Sequence, residues 1–204
     1  FQVLVSREGE VMHEVLRPEG LPDVVGAGVE VVYRLRKMVH NLQEAAVDSH
    51  AGQDSVFVGQ VSSGEIYNQS PTEFRINGTR RWVSPGSAQL VETEFRRLLE
   101  KVAQDTGTKI TVDFSVQADA FRVLESDPVV TSFQEAYFLV TGHTLSVGGK
   151  PFVDDGNRFA DQAGIPVLTH GPAGKGAHTS KEWVELEELV RVAQVYALTA
   201  VDYC

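Results

Sequence analysis

The first part of the chain has apolar residues at strand spacing and then at helix spacing. Residues 1–6 alternate as a short strand, and residues 10–16 continue the strand pattern beyond a turn. A longer segment carries apolar side chains at steps of three and four, namely Val29, Val32, Leu35, Val39, Leu42 and Ala46. Because this spacing places them on one face, it predicts an amphipathic helix over residues 24–46.

Two further strands, a second helix and a final strand follow in the same half. The pattern predicts strands over residues 55–62, 72–83 and 109–116, and a helix from Ser87 to about Asp105. Within the second of these strands, Arg80 and Arg81 face opposite sides, because side chains alternate along a strand. The order β-α-β-β-α-β is typical of a ferredoxin-like fold, in which two helices cover one face of a four-stranded antiparallel sheet.

Beyond Ala118 the rhythm changes to that of an α/β protein. The predicted elements are a helix over 127–140, a strand over 144–147, a helix over 157–163, a strand over 165–169 and a helix over 184–203. Two short strands and three helices make a poor core by themselves. We therefore expect a ferredoxin-like domain over residues 1–118, and over 119–204 the C-terminal segment of a larger α/β domain whose amino-terminal half is absent.

Composition narrows the possible partners and the compartment. The 204 residues carry 28 acids against 18 bases, a formal net charge of −10, which argues against a nucleic-acid partner. No stretch reaches the ~20 apolar residues of a membrane span. The one cysteine, Cys204, excludes an internal disulfide and favours a cytoplasmic location. The chain begins with Phe1, which suggests a processed or truncated polypeptide.

The segment over residues 154–178 holds the candidates for metal chemistry. His178 follows a glycine-rich loop after a predicted strand, where α/β proteins place ligands, and imidazole is a common metal ligand. The alternative is an ordinary loop histidine. Asp154 and Asp155 precede a short helix that either could cap, whereas Asp155 could instead support a metal loop. A hydrolytic zinc site needs at least three protein ligands, and only His178 is well placed.

The first half holds the candidates for substrate binding. Arg81 could take a carboxylate with two hydrogen bonds, and the amide of Asn68 could bond a carbonyl oxygen. The alternative for both is a solvated strand edge with an ordinary salt bridge. His13, in the same way, could be a plain strand or loop histidine.

Three groups of residues, in this order along the chain, carry a family resemblance. They are Asn68 with Gly78-Thr79-Arg80-Arg81 and Pro85-Gly86, then Asp155-Gly156-Asn157 with Gly164-Ile165-Pro166, then Gly171-Pro172 with Ala177-His178-Thr179. Together they resemble the C-terminal portion of the zinc metallopeptidase family of aminoacylase, acetylornithine deacetylase, succinyl-diaminopimelate desuccinylase and carboxypeptidase G. The ferredoxin-like half resembles the lid and dimerisation domain of that family.

The resemblance implies a role for each candidate. His178 would bind one of two zinc ions, and Asp155 would lie in a loop that supports substrate or metal. Arg81 and Asn68 would bind the carboxylate and the scissile carbonyl region of the substrate. His13 resembles the lid histidine that reaches the active site of a partner in a homodimer and stabilises the oxyanion.

The resulting hypothesis is that the chain is a fragment of a dinuclear-zinc amidohydrolase that cleaves an N-acyl amino acid or small peptide. The family's first metal histidine, bridging aspartate and glutamate pair have no match in this sequence, so we expect the chain to be inactive alone. The competing hypothesis is a non-catalytic dimerisation or small-ligand-binding module with a ferredoxin-like core.

Overall fold

The computed structural model describes residues 1–43 and 47–204, which form two compact units. Unit 1 comprises Phe1–Ala120 together with Lys150–Phe152, and unit 2 comprises Phe121–Gly149 together with Val153–Cys204. Both helices and sheets are present, so the predicted mixed α and β fold class is confirmed. Within the described ranges, no helix combines the length and the apolar character that crossing a bilayer requires.

Unit 1 is built around a four-stranded antiparallel sheet with the order β3-β5-β1-β6. Its elements are β1 (Gln2–Ser6), β2 (Met12–His13), α1 (Val24–Gln43), β3 (Ser55–Ser63), β4 (Gln69–Ser70), β5 (Glu73–Arg81), α2 (Ala88–Thr106) and β6 (Lys109–Asp113). The four long strands and two helices follow the predicted β-α-β-β-α-β order. The predicted end of α1 at Ala46 lies outside the described residues.

The core of unit 1 lies between the sheet and its two helices. Alternating residues of neighbouring strands face it, with Val3 opposite Ile76 and Val5 opposite Phe74. Phe95 of α2 is fully buried and its ring contacts Phe1 and Phe114. The buried cluster consists of Val3, Val5, Val24, Ala27, Val31, Leu35, Val56, Phe74, Ile76, Phe95, Leu99 and Val102.

The face of α1 that contacts the sheet differs slightly from the face that the apolar spacing predicted. The buried line runs through Ala27, Val31 and Leu35 at steps of four, whereas Val29 is 58% exposed. Gly28 sets the closeness of the helix, because a Cβ there would lie 2.3 Å from the Phe74 ring. A larger residue at this position would force α1 away from β5.

The strand predicted over residues 10–16 is mostly absent. Only Met12 and His13 pair, and they pair with β4 rather than with the main sheet. A 3₁₀ turn, Glu14–Leu16, begins directly afterwards, and His13 caps it by accepting the Val15 N–H at 3.4 Å. The strand ends there because a backbone partner is available for two residues only.

Unit 2 is mainly helical. Its elements are α3 (Pro128–Thr141), α4 (Asp155–Arg158) with a π-helical turn over Phe159–Ala163, β7 (Gly174–Lys175), β8 (Trp183–Val184) and α5 (Leu186–Tyr203). Helices α3 and α5 pack together over a small core of Phe133, Ala136 and Val195. The strands predicted over 144–147 and 165–169 do not form, because no described segment offers their backbones a ladder partner. The short β7–β8 pair was not predicted.

Candidate functional site

The structure brings together His13 and Asn68, two predicted site residues that lie 55 positions apart. Strand β2 pairs with β4, so that His13 lies opposite Gln69. The next backbone N–H, that of Glu14, donates to the Asn68 carbonyl at 3.0 Å. Nε2 of His13 then lies 3.2 Å from Nδ2 of Asn68. The contact between the two side chains therefore follows from the pairing of their backbones.

The second ring nitrogen of His13 is also engaged. Nδ1 lies 2.9 Å from a carboxylate oxygen of Glu14, and the two side chains are 46% and 55% exposed. A carboxylate only accepts, so this contact requires the ring proton on Nδ1, whereas the longer contact with the Val15 N–H requires the other tautomer; the shorter contact favours the proton on Nδ1. In the neutral ring Nε2 then accepts from the Asn68 amide. Both contacts orient the imidazole.

Two neighbouring arginines, Arg80 and Arg81, have different surroundings. The side chain of Arg80 is only 4% exposed and pairs with Asp54 at 2.8 Å. Asp54 also accepts the Val83 N–H at 3.0 Å, so the pair fastens the end of β5. Arg81 points to the opposite side and is exposed, and within residues 1–43 and 47–204 its side chain forms no hydrogen bond or ion pair. Its guanidinium is free to bind an anion.

The backbone of His178 adopts a left-handed conformation. Its φ is 63°, which no other non-glycine residue among those described adopts with a positive sign. Its N–H donates to the Glu182 carboxylate at 3.3 Å, and the preceding Gly176 accepts the Thr179 N–H at 3.0 Å. The side chain is exposed. A positive φ is strained for a residue other than glycine. The conformation persists where surrounding bonds hold it, and residues of this kind cluster at functional sites.

The two aspartates before α4 divide between capping and exposure. Asp154 accepts the Gly156 N–H at 2.9 Å, while Asn157 accepts the Asp154 N–H at 3.1 Å. The helix-capping interpretation is therefore confirmed for Asp154. Asp155 is exposed in the first turn, and no described residue bonds its carboxylate or joins it to His178.

The side chains present do not make a metal site by themselves. In the part of the chain that the structure describes, no three His, Cys, Asp or Glu side chains gather where an ion could bind. Zinc in a hydrolytic site takes at least three protein ligands. His178 could supply one imidazole, so the remaining ligands would have to come from elsewhere.

His170 carries no signal in the sequence beyond its position before the glycine-rich loop. Its ring packs against Phe133, Tyr137 and Tyr196, with centroids 5.0, 5.8 and 6.2 Å away. Nδ1 is buried and has no hydrogen-bond partner among the described residues. Burial lowers the pKa of His170, and the nearby Glu188 opposes that shift. These three rings form an aromatic box around His170. The box favours the neutral form of His170 and fixes the start of the glycine-rich loop.

Similarity to known proteins covers nearly the whole chain. Residues 13–202 match Peptidase family M20/M25/M40. A 99-residue stretch is 28% identical to N-formyl-4-amino-5-aminomethyl-2-methylpyrimidine deformylase of Halalkalibacterium halodurans, covering 48% of this chain and 23% of that protein.

Two solved structures illustrate the fold. Aminopeptidase PepT from Bacillus cereus is 18% identical with a TM-score of 0.75, over 97% of this chain and 49% of that one. The Bacillus subtilis YXEP protein, described as a dinuclear metal binding peptidase from the M20 family, is 16% identical with a TM-score of 0.70, over 98% of this chain and 48% of that one. The chain thus spans about half the length of these proteins, and at such identities the likeness establishes the fold alone.

Proposed function

Because this chain belongs to peptidase family M20/M25/M40, we propose that it is part of a metal-dependent hydrolase that cleaves an amide bond in an N-acyl amino acid or small peptide. The observation that carries the proposal is the 3.2 Å contact between His13 and Asn68. The resemblance assigns Asn68 to substrate binding and His13 to stabilisation of the oxyanion, and the two residues meet although they are far apart in the sequence.

Four side chains of unit 1 have roles in this proposal. Arg81 binds the substrate carboxylate, for which its exposed guanidinium has two parallel donors. Asn68 and His13 bind around the scissile carbonyl, where a donor that meets the developing oxyanion stabilises the transition state. Glu14 supports His13 in that role, since its carboxylate lies 2.9 Å from Nδ1 and orients the ring.

The metal-binding part of the proposal rests on unit 2. His178 would bind one of two zinc ions, and Asp155 would lie in the loop that supports substrate or metal. The other ligands come from protein outside this chain, because the described residues offer too few. The chain alone is therefore inactive. A cytoplasmic location stays a prediction.

A homodimer through unit 1 is also proposed. Strand β3 forms one edge of the sheet, and Phe57 and Val61 on it are 65% and 54% exposed. Beside it lies a groove of ≈ 440 Å³ lined by β3 and by Val32, Leu35 and Val39 of α1. A second copy could pair with the free edge and cover these residues. Sedimentation at micromolar concentration should give a dimer mass, and a monomer would exclude this arrangement.

Hydrolysis is tested best in the longest natural polypeptide that contains this chain. We expect two zinc equivalents by elemental analysis and turnover of some members of a panel of N-acyl amino acids and dipeptides. His178→Ala should lose metal, whereas His143→Ala, an exposed histidine of the same unit, should keep it. A metal-loaded protein that hydrolyses no amide in the panel would favour the non-catalytic binding module.

The carboxylate contact has a matched control on the same strand. Arg81→Met should raise KM for carboxylate-bearing substrates by about 100-fold, because a two-bond charged contact is lost. Arg75 projects from the same face of β5 and, among the described residues, pairs only with Glu73, so Arg75→Met should leave KM unchanged. Equal KM values for the two variants would remove Arg81 from the site.

A further inference from the structure

A buried guanidinium bonds the two segments that carry His13 and Asn68. Arg7 is only 8% exposed and directly follows β1. Its side chain donates to four backbone carbonyls at 3.0 to 3.1 Å, those of Glu8, Glu10, Ser70 and Pro71. No carboxylate pairs with it in residues 1–43 and 47–204. The charge of Arg7 is thus balanced by backbone dipoles alone, which is an unusual use of a buried arginine.

The four carbonyls belong to two separate segments. Residues 8–10 lead into β2, and Ser70 and Pro71 end β4 and continue towards β5. One nitrogen, Nη2, bonds both segments, because it donates to the Glu10 carbonyl at 3.1 Å and to the Ser70 carbonyl at 3.0 Å. Arg7 also donates its backbone N–H to Thr72 at 3.1 Å. The residue therefore clamps the chain before His13 to the chain after Asn68.

The clamp matters because the strand pair that it holds is very short. Only two residue pairs connect β2 and β4, Met12 with Ser70 and His13 with Gln69. A ladder of this length has little stability of its own. Glu14 adds one bond to the Asn68 carbonyl. Without Arg7 these few bonds would be the main restraint on the distance between the His13 ring and the Asn68 amide.

We propose that Arg7 is a positioning residue that holds His13 and Asn68 in register for the reaction. The inference rests on the proposed function, since it assumes that this pair binds the substrate. The fork geometry is essential to it. A lysine has three donors on a single nitrogen and cannot reproduce the four bonds that Nε, Nη1 and Nη2 of Arg7 make to the two segments.

The kinetic test uses the full natural polypeptide and a double-mutant cycle. Arg7→Met and Arg7→Lys should each lower kcat by about 30-fold, because a displacement of about 1 Å at a reacting group has an effect of this order. In a background that carries both His13→Ala and Asn68→Ala, Arg7→Met should change kcat by less than about twofold, because the two groups that Arg7 positions have already been removed. A full additional loss in that background would overturn the proposal.

A control separates positioning from general stability. Arg96 also donates to a backbone carbonyl, that of Val112 at 3.3 Å, but lies on α2 with its partner in β6. Arg96→Met should leave kcat unchanged. A similar loss of kcat in Arg96→Met and Arg7→Met would assign the effect of Arg7 to the fold as a whole, which overturns the proposal.

A spectroscopic arm makes the result independent of catalysis. With histidine labelled by ¹³C, the His13 ring signal is assigned by its disappearance in His13→Gln. Arg7→Lys should shift that signal, and Arg96→Met should not. An unshifted signal overturns the role of Arg7 even in an active enzyme. An absence of hydrolysis overturns the proposed function while this arm still decides whether Arg7 holds His13.

Discussion

The two units of this chain use similar apolar patterns and bury them to different extents. In unit 1 the stripes of two helices meet a four-stranded sheet, and twelve residues form one continuous core. In unit 2 the buried cluster consists of Phe133, Ala136 and Val195. Leu139, Leu186 and Val201 of the same helices are 74%, 75% and 84% exposed. An apolar pattern thus predicted the helices in both units and predicted their burial more closely in unit 1.

The difference has a geometric cause. A sheet offers a wide flat face on which two helices bury whole stripes, whereas two helices bury only the seam along which they touch. Hydrophobic stabilisation scales with the apolar area that is removed from water. We therefore expect unit 2 to be the less stable unit and to need cover from additional protein surface.

The largest expected effect comes from truncating one core phenylalanine in each unit. Phe95→Ala should destabilise unit 1 by about 3–5 kcal/mol, because its fully enclosed ring leaves a cavity. Phe133→Ala should cost less, because the core around it is small and open enough to relax. Urea unfolding of each variant gives the two free energies.

Each unit has its own probe for this measurement. The two tryptophans of the chain, Trp82 and Trp183, lie in different units. A Trp183→Phe background therefore reports on unit 1, and a Trp82→Phe background reports on unit 2. Equal costs of the two phenylalanine substitutions would contradict the difference in packing.

A smaller effect should be alike in both units. Gly107 and Gly142 end α2 and α3 in the left-handed region, with φ of 64° and 69°. Replacing either by alanine should cost about 1 kcal/mol, because the penalty is local to the backbone and independent of the core. The same tryptophan probes measure it.

Gly148 is the control position for the substitutions at Gly107 and Gly142. It lies in a loop, has no positive φ, and a Cβ there would meet no atom within 4 Å. Gly148→Ala should therefore be neutral or slightly stabilising. If the cost at Gly142 were far below that at Gly107, α3 would fray in the chain as it stands.

The smallest effect is a difference in pH dependence. Burial lowers the pKa of His170 from its ordinary 6.5, against the opposing influence of Glu188. The folded state then binds fewer protons than the unfolded state below about pH 6.5, so the stability of unit 2 should fall as the pH decreases from about 7 to 5. His170→Phe should remove that slope by filling the box with a ring that does not titrate.

Unit 1 should respond only at lower pH. Hydrogen bonds from Lys101 and Arg34 lower the pKa of Asp105 from its ordinary 3.8. The stabilisation from Asp105 is therefore complete above that value and is lost as the pH falls through its folded pKa. Urea midpoints of the Trp82 and Trp183 probes between about pH 7 and 5 check the contrast, and parallel slopes would refute it.

Local chemistry in the sequence determined most helix boundaries. Helix α3 begins after Asp127, whose side chain accepts the Val129 N–H, and ends before Gly142, which agrees closely with the predicted range of 127–140 because capping involves only neighbouring residues. The β-α-β-β-α-β order of unit 1 followed in the same way from apolar periodicity. The family resemblance of residues such as His13, Asn68 and His178 was also visible in the sequence, and the match over residues 13–202 confirms that family.

Tertiary structure alone decided which backbones pair and which side chains meet. The strands predicted over 144–147 and 165–169 have no partner among the described residues, and a strand exists only with a neighbour. His13 meets Asn68 because β2 pairs with β4, which no local pattern specifies. Arg7 carries no sequence signal because its partners are backbone carbonyls, which every residue possesses, so only the folded chain determines which of them it binds.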